Sequence, residues 1–169
     1  MANFTGAQVY HGNTDTVETT QRHPLGTVAK DSDGNEYIYL DYNEAVVAGE
    51  WVTWNYSYAA TGIAATTRGP VGVAMAAAST SDLYGWAQIK GVNTAALCTS
   101  SVTTADCLIT AAASTDISCP TVGATTTFSD LTIIGATAMT AASTATTTVI
   151  PASCTVYLDH PKVLGAASS

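Results

Sequence analysis

The alternation of large and small positions is sharpest between Arg68 and Gly91. Val71, Val73 and Met75 share one parity, and Gly72, Ala74 and Ala76 share the other. That two-residue period is the signature of a strand, here with one bulky and one small face. A short Ser/Thr/Asp-rich connection follows from Ala76 to Asp82. The chain then returns with Gly85, Ala87 and Ile89 opposite Tyr84, Trp86, Gln88 and Lys90. The pattern predicts a central β-hairpin whose glycines admit a neighbouring backbone or ring.

The flanking segments repeat this grammar. Val28 and Lys30 lead into Asp31-Ser32-Asp33-Gly34-Asn35, after which Glu36 to Tyr42 alternates aromatic and aliphatic residues. An Asp-Gly turn between alternating runs is a strong hairpin signal. Trp51 to Trp54 reads as another strand, and Tyr58 to Thr67 as an Ala/Thr loop with a short strand near Ile63. Beyond Gly91, short apolar runs occur at Ala95–Cys98, Cys107–Ala111 and Leu131–Ile134, between turn-forming residues. Ala136 to Thr148 has alanines that allow a helical turn and threonines that oppose a long helix. Cys154 to Leu158 reads as a closing strand that ends at Asp159-His160-Pro161.

These elements predict an all-β fold: one domain, an antiparallel sandwich or small barrel over residues 25–164. Residues 1–24 are polar, with only Phe4, Val9, Tyr10 and Val17 large and apolar, and are expected to form an extended N-terminal arm. Residues 165–169 are expected to be a flexible tail.

Composition narrows the function classes. Of the 169 residues only 11% are charged, against a usual ~25%. The net charge of −8 argues against nucleic-acid binding, which needs clustered Lys and Arg. A weakly charged exterior suits a surface covered by identical neighbours or a larger assembly. The sequence shows no basic and apolar leader at its start and no apolar run of membrane-spanning length, so neither secretion nor a membrane partner is expected. Cys98, Cys107, Cys119 and Cys154 have no metal-ligand spacing, and all four are expected as reduced thiols.

Candidate chemistry is sparse. Asp31 to Glu36 resembles the start of a calcium loop, but Glu36 and Tyr42 stand where glycine and glutamate are required. A turn is the better reading, and no metal or other cofactor is expected. His11, His23 and His160 are scattered, and no Gly-x-Ser-x-Gly elbow occurs. The later acids Asp82, Asp106, Asp116, Asp130 and Asp159 read as isolated turn residues, so an enzyme is not expected. Trp51, Trp54, Trp86, Tyr37, Tyr39 and Tyr42 could form a sugar-binding platform, although aromatics on alternating strands more often build the core.

One succession goes further than composition. It comprises Asp33-Gly34-Asn35-Glu36-Tyr37-Ile38-Tyr39-Leu40, Gly49-Glu50-Trp51-Val52-Thr53, Gly69 to Ala76, Tyr84 to Gly91 and the closing Val156 to Pro161. It resembles small structural proteins of tailed phages, head proteins of the decoration (cement) type. The resemblance covers residues 25–91 and 154–163. It implies a β-rich virion protein that binds the outside of an icosahedral capsid and reinforces it, as a homo-oligomer with a trimer favoured. Its partner would be the major capsid protein, reached by the arm, with Phe4, Val9 and Tyr10 as capsid contacts. Such a protein is assembled in the host cytoplasm. A carbohydrate- or surface-binding β-module on the virion is the alternative.

Overall fold

The computed structural model describes residues 14–64, 67–79, 83–98, 107–110, 131–140 and 152–164. The expected arm contacts Phe4, Val9 and Tyr10 and the tail 165–169 lie outside these residues. Nine strands are described: β1 (Val28–Lys30), β2 (Glu36–Tyr42), β3 (Trp51–Trp54), β4 (Ala59–Gly62), β5 (Gly69–Ala74), β6 (Leu83–Cys98), β7 (Cys107–Thr110), β8 (Leu131–Ala138) and β9 (Ala152–Leu164). The described fold is all-β and mostly antiparallel, with the sheet order β1-β2-β4-β3-β5-β6-β9-β8-β7. Among the described residues no helix is long and apolar enough to cross a membrane.

Both predicted hairpins are present. β1 and β2 pair with Lys30 opposite Glu36 across the Asp31–Asn35 turn. β5 and β6 pair with Val73 opposite Gln88 and Ala74 opposite Ala87. Additional pairing joins β2 to β6. The links β2–β4, β4–β3, β3–β5, β5–β6 and β6–β2 therefore return to their starting strand.

The alternation along each strand explains where the core lies. Ile38, Leu40 and Tyr42 of β2 join Val52, Ala60, Ala74, Ala87 and Ile89 in one cluster, drawn from all five linked strands. Tyr37 and Tyr39, of the opposite parity, pack with Trp86 and Ala29 in another. Trp51, Val71 and Val73 turn the other way and meet Ile133, Ala136, Cys154, Val156, Leu158 and Val163 in a third. Both faces of β5 are thus buried from Val71 to Ala74, which is why its bulky and its small positions are equally inaccessible there.

Several elements differ from the sequence reading. The short strand expected near Ile63 is β4, ending at Gly62. The run Ala95–Cys98 is not separate but the end of the 16-residue β6, which continues through Gly91. Gly91 has φ +96°, so the strand bends there without breaking. β9 likewise runs past Pro161. It is accommodated where the register with β8 shifts between Ile134 and Ala136, beside Gly135 at φ +78°.

The thiol expectation is corrected for two cysteines. Cys98 and Cys154 form a disulfide, with Cα atoms 6.2 Å apart. In the β6–β9 register Ala96 faces Cys154 and Cys98 faces Ala152, so the two cysteines are diagonal neighbours on adjacent strands. Both point into the same buried cluster, which brings the sulfurs together.

Residues 14–24 of the expected arm run along the domain. Glu18 and Tyr84 exchange backbone hydrogen bonds of 2.8 Å in both directions, and Val17 packs beside Gly85.

Candidate functional site

The suspected cation loop is a saturated turn. The Asp31 carboxylate accepts hydrogen bonds from the Asp33 and Asn35 backbone N–H groups (2.9 Å each), the Asn35 amide (2.7 Å) and the Tyr37 hydroxyl (2.9 Å). Burial works to raise its pKa, but the bonds from Asn35 and Tyr37 outweigh that and hold the carboxyl below its ordinary range. The Tyr37 phenol is pushed up to about 12 by burial and by its bond to Asp31. No group of three or more His, Cys, Asp or Glu able to hold a metal occurs among the described residues.

Next to this turn, buried Glu36 gathers basic side chains from three other strands. Lys30 Nζ of β1 is 2.7 Å from Oε1, Lys90 Nζ of β6 is 3.6 Å from Oε1, and His160 Nε2 of β9 is 3.5 Å from Oε2. The hydrogen bond from Lys30 lowers the Glu36 pKa against the opposing effect of burial, with help from Lys90 and His160. The bend of β6 is secured nearby. The Gln88 amide donates to the Lys90 and Val92 carbonyls and its oxygen accepts from Asn93, so the polar groups freed at Gly91 find partners.

The aromatic set does not make an open platform. Trp51, Tyr39 and Tyr42 are fully buried, and Tyr37 and Trp86 nearly so. His23 packs edge-on to Tyr39 at 5.1 Å and tilted to Trp86 at 5.4 Å. The Tyr39 hydroxyl donates to Glu18 at 2.9 Å, and Glu18 in turn pairs with Arg22 at 3.0 Å.

Two carboxylates line a recess of about 540 Å³ with Val46, Val47, Ala78 and Ser79. Glu44 accepts the Gly62 N–H at 2.6 Å, and buried Glu50 accepts the Val47 N–H at 2.7 Å. Burial raises the Glu50 pKa, the Val47 bond opposes this, and the neighbouring Glu44 adds to the rise. The sequence gives no hint of this pair, because it assembles through the parallel β2–β4 pairing and the connection that follows β2.

The β3–β4 turn presents a different kind of surface. Asn55 closes it: its side-chain oxygen accepts from Ser57 N–H (2.8 Å) and Ala59 N–H (3.2 Å), and its backbone bonds to Ala59 and Tyr58. Tyr58 has φ +61°, and its ring lies directly over Gly26, where any Cβ would overlap it. Tyr56, between them, is 95% exposed.

Compared with known protein families, curated proteins and solved structures, the chain matches none.

Proposed function

We propose that this is a non-enzymatic virion structural protein, which decorates and reinforces the outer surface of an icosahedral phage capsid by binding the major capsid protein. In this reading the circuit β2–β4–β3–β5–β6 is a small barrel, widened by a second layer of β6, β9, β8 and β7. Residues 1–24 are its arm, carrying the capsid contacts Phe4, Val9 and Tyr10. The resemblance of residues 25–91 and 154–163 to phage decoration proteins points the same way.

The observation that carries the reading is the outward face of the β6–β9–β8 layer. Val92, Tyr157 and Thr137 stand side by side in register, with Met139 bonded across to Thr155 in the next row. Val92, Tyr157 and Met139 are each exposed by nearly half, and no charge interrupts these rows. A free protein keeps such apolar surface small and breaks it with charge. The face suits burial against identical copies, as in a homo-oligomer with a trimer favoured. Neither nucleic acid nor membrane is a partner in this account. The sugar-binding alternative is disfavoured because Trp51, Trp86, Tyr37, Tyr39 and Tyr42 are buried, and half-buried Trp54 packs against the core.

The test is to mix the purified chain with shells of the major capsid protein assembled without it. Full-length protein should co-sediment with the shells and raise their resistance to heat. A chain lacking residues 2–13 keeps every contact described above and should stay in the supernatant. Absence of co-sedimentation by the full-length chain would overturn the proposal.

A further inference from the structure

We infer that Tyr56 is a preorganised anchor that inserts into a narrow, uncharged pocket on a protein surface. Under the function proposed above, on which this inference rests, that surface is the capsid shell.

Three observations converge on the β3–β4 turn. The first is exposure: Tyr56 is 95% exposed, whereas Met139, the next most exposed of the large apolar residues described, reaches 48%. An aromatic ring left wholly in water contributes little to folding, but it is the residue type that dominates binding when a partner covers it. The second is rigidity. Two side-chain and two backbone hydrogen bonds close the turn on Asn55, and the Tyr58 carbonyl accepts the Asp41 N–H of β2 at 3.1 Å. Tyr58 adopts the left-handed conformation that non-glycine residues rarely take, with its ring seated on Gly26. A tip fixed before binding loses little freedom on docking.

The third observation identifies the partner. Trp54 to Tyr58 carries no charge, and the Asn55 carboxamide oxygen is already engaged by two backbone donors. A sugar site needs several convergent polar groups beside its aromatic ring, and in this turn the Asn55 oxygen faces inward onto the Ser57 and Ala59 N–H groups instead of outward beside Tyr56. What it offers is a ring with one hydroxyl at its end, which fits an apolar protein pocket with an acceptor at its base. Gly26, under Tyr58, belongs to the segment that leads from the proposed arm into β1. Tyr58 therefore ties the turn to the segment at the root of the proposed arm.

The experiment titrates the full-length chain, Tyr56→Ala and Tyr56→Phe against capsid shells assembled without this protein, alongside a glycan array. Tyr56→Ala should weaken shell binding about thirtyfold or more, as hot-spot truncations do, with no change in melting temperature. Tyr56→Phe, which keeps the ring, should bind within a few fold of the parent. Equal binding by Tyr56→Ala would overturn the anchor and leave the capsid function standing. Tyr56→Phe as weak as Tyr56→Ala would overturn the apolar pocket. Glycan binding that depends on Tyr56 would overturn the protein partner. No shell binding by the parent chain would overturn the capsid function and this inference with it.

Discussion

Single residues set the tolerances of the fold. A Cβ at Gly72 would stand 2.9 Å from the Gln88 carbonyl oxygen and 3.3 Å from Ile89 Cγ2. At Gly85 it would stand 2.8 Å from the Tyr42 ring and 3.2 Å from Val17. Neither neighbour has room to give, since one is strand backbone and the other a fully buried ring. Gly72→Val should therefore destabilise the protein by about 1–3 kcal/mol through overpacking, which chemical denaturation would read. An unchanged midpoint would mean that the β5–β6 interface is looser than described. These two glycines were legible from the alternation alone, because small residues along one strand face imply close approach of a backbone or ring on that side.

The two buried glutamates pull the pH dependence in opposite directions. Glu36 has a folded pKa below its ordinary 4.5, so its stabilisation is complete above that value and is lost as pH falls through the folded one. Glu50 has a folded pKa above 4.5, so the protein is more stable with it protonated. That advantage is lost as pH rises from 4.5 through the folded value. Glu36→Gln should weaken the fold at neutral pH and flatten its acid limb. Glu50→Gln keeps an acceptor for the Val47 N–H and should melt higher than the parent at neutral pH. Thermal melts between pH 3 and 8 would test both. Parallel curves for the parent and Glu50→Gln would show that neither its burial nor the neighbouring Glu44 penalises the charged Glu50 carboxylate.

At the level of elements, the bent β6 is what joins the two halves of the domain. Its first half pairs with β2 and β5, its second half with β9. In the sequence Gly91 reads as a terminator, because nothing local shows that Asn35 and Gln88 will satisfy the groups a bend exposes. The Cys98–Cys154 disulfide was illegible for a related reason. Its partners are 56 residues apart, and only the β6–β9 register makes them neighbours. Closing a loop of that size is worth about 4 kcal/mol in the chain-entropy account. A reductant should therefore lower the denaturation midpoint substantially, and alkylation of the unreduced, unfolded chain should leave Cys98 and Cys154 unmodified. Alkylation of both would refute the bond.

The N-terminal segment can be divided on the same basis. Removing residues 2–13 spares the Glu18–Tyr84 bridge, whereas removing 2–20 also deletes Val17 and Glu18. The longer deletion should cost about 1–3 kcal/mol in lost burial and hydrogen bonds, and the shorter one almost nothing. Equal stability of the two would show that residues 14–20 are not part of the folded unit.

For the whole molecule, the all-β class was readable because Thr-rich, alternating segments separated by Asp-Gly and Ser/Thr turns leave little else to form. The Glu44–Glu50 recess was not readable, since Ala77 to Ser79 reach it only through the Val46–Ala78 bridge. The Tyr56 turn closes locally on Asn55, and what the sequence hides there is the seat of the Tyr58 ring on Gly26. On the β6–β9–β8 face Val92, Tyr157 and Met139 stand exposed in uncharged rows, while buried Glu36 ties together Lys30, Lys90 and His160 of three other strands. A protein built this way is suited to covering another surface. The most direct test is the amount of this chain in purified phage particles relative to the major capsid protein, measured by quantitative mass spectrometry. The decoration account expects amounts comparable to the major capsid protein, released when the particle surface is stripped. A trace amount, or none, would contradict it.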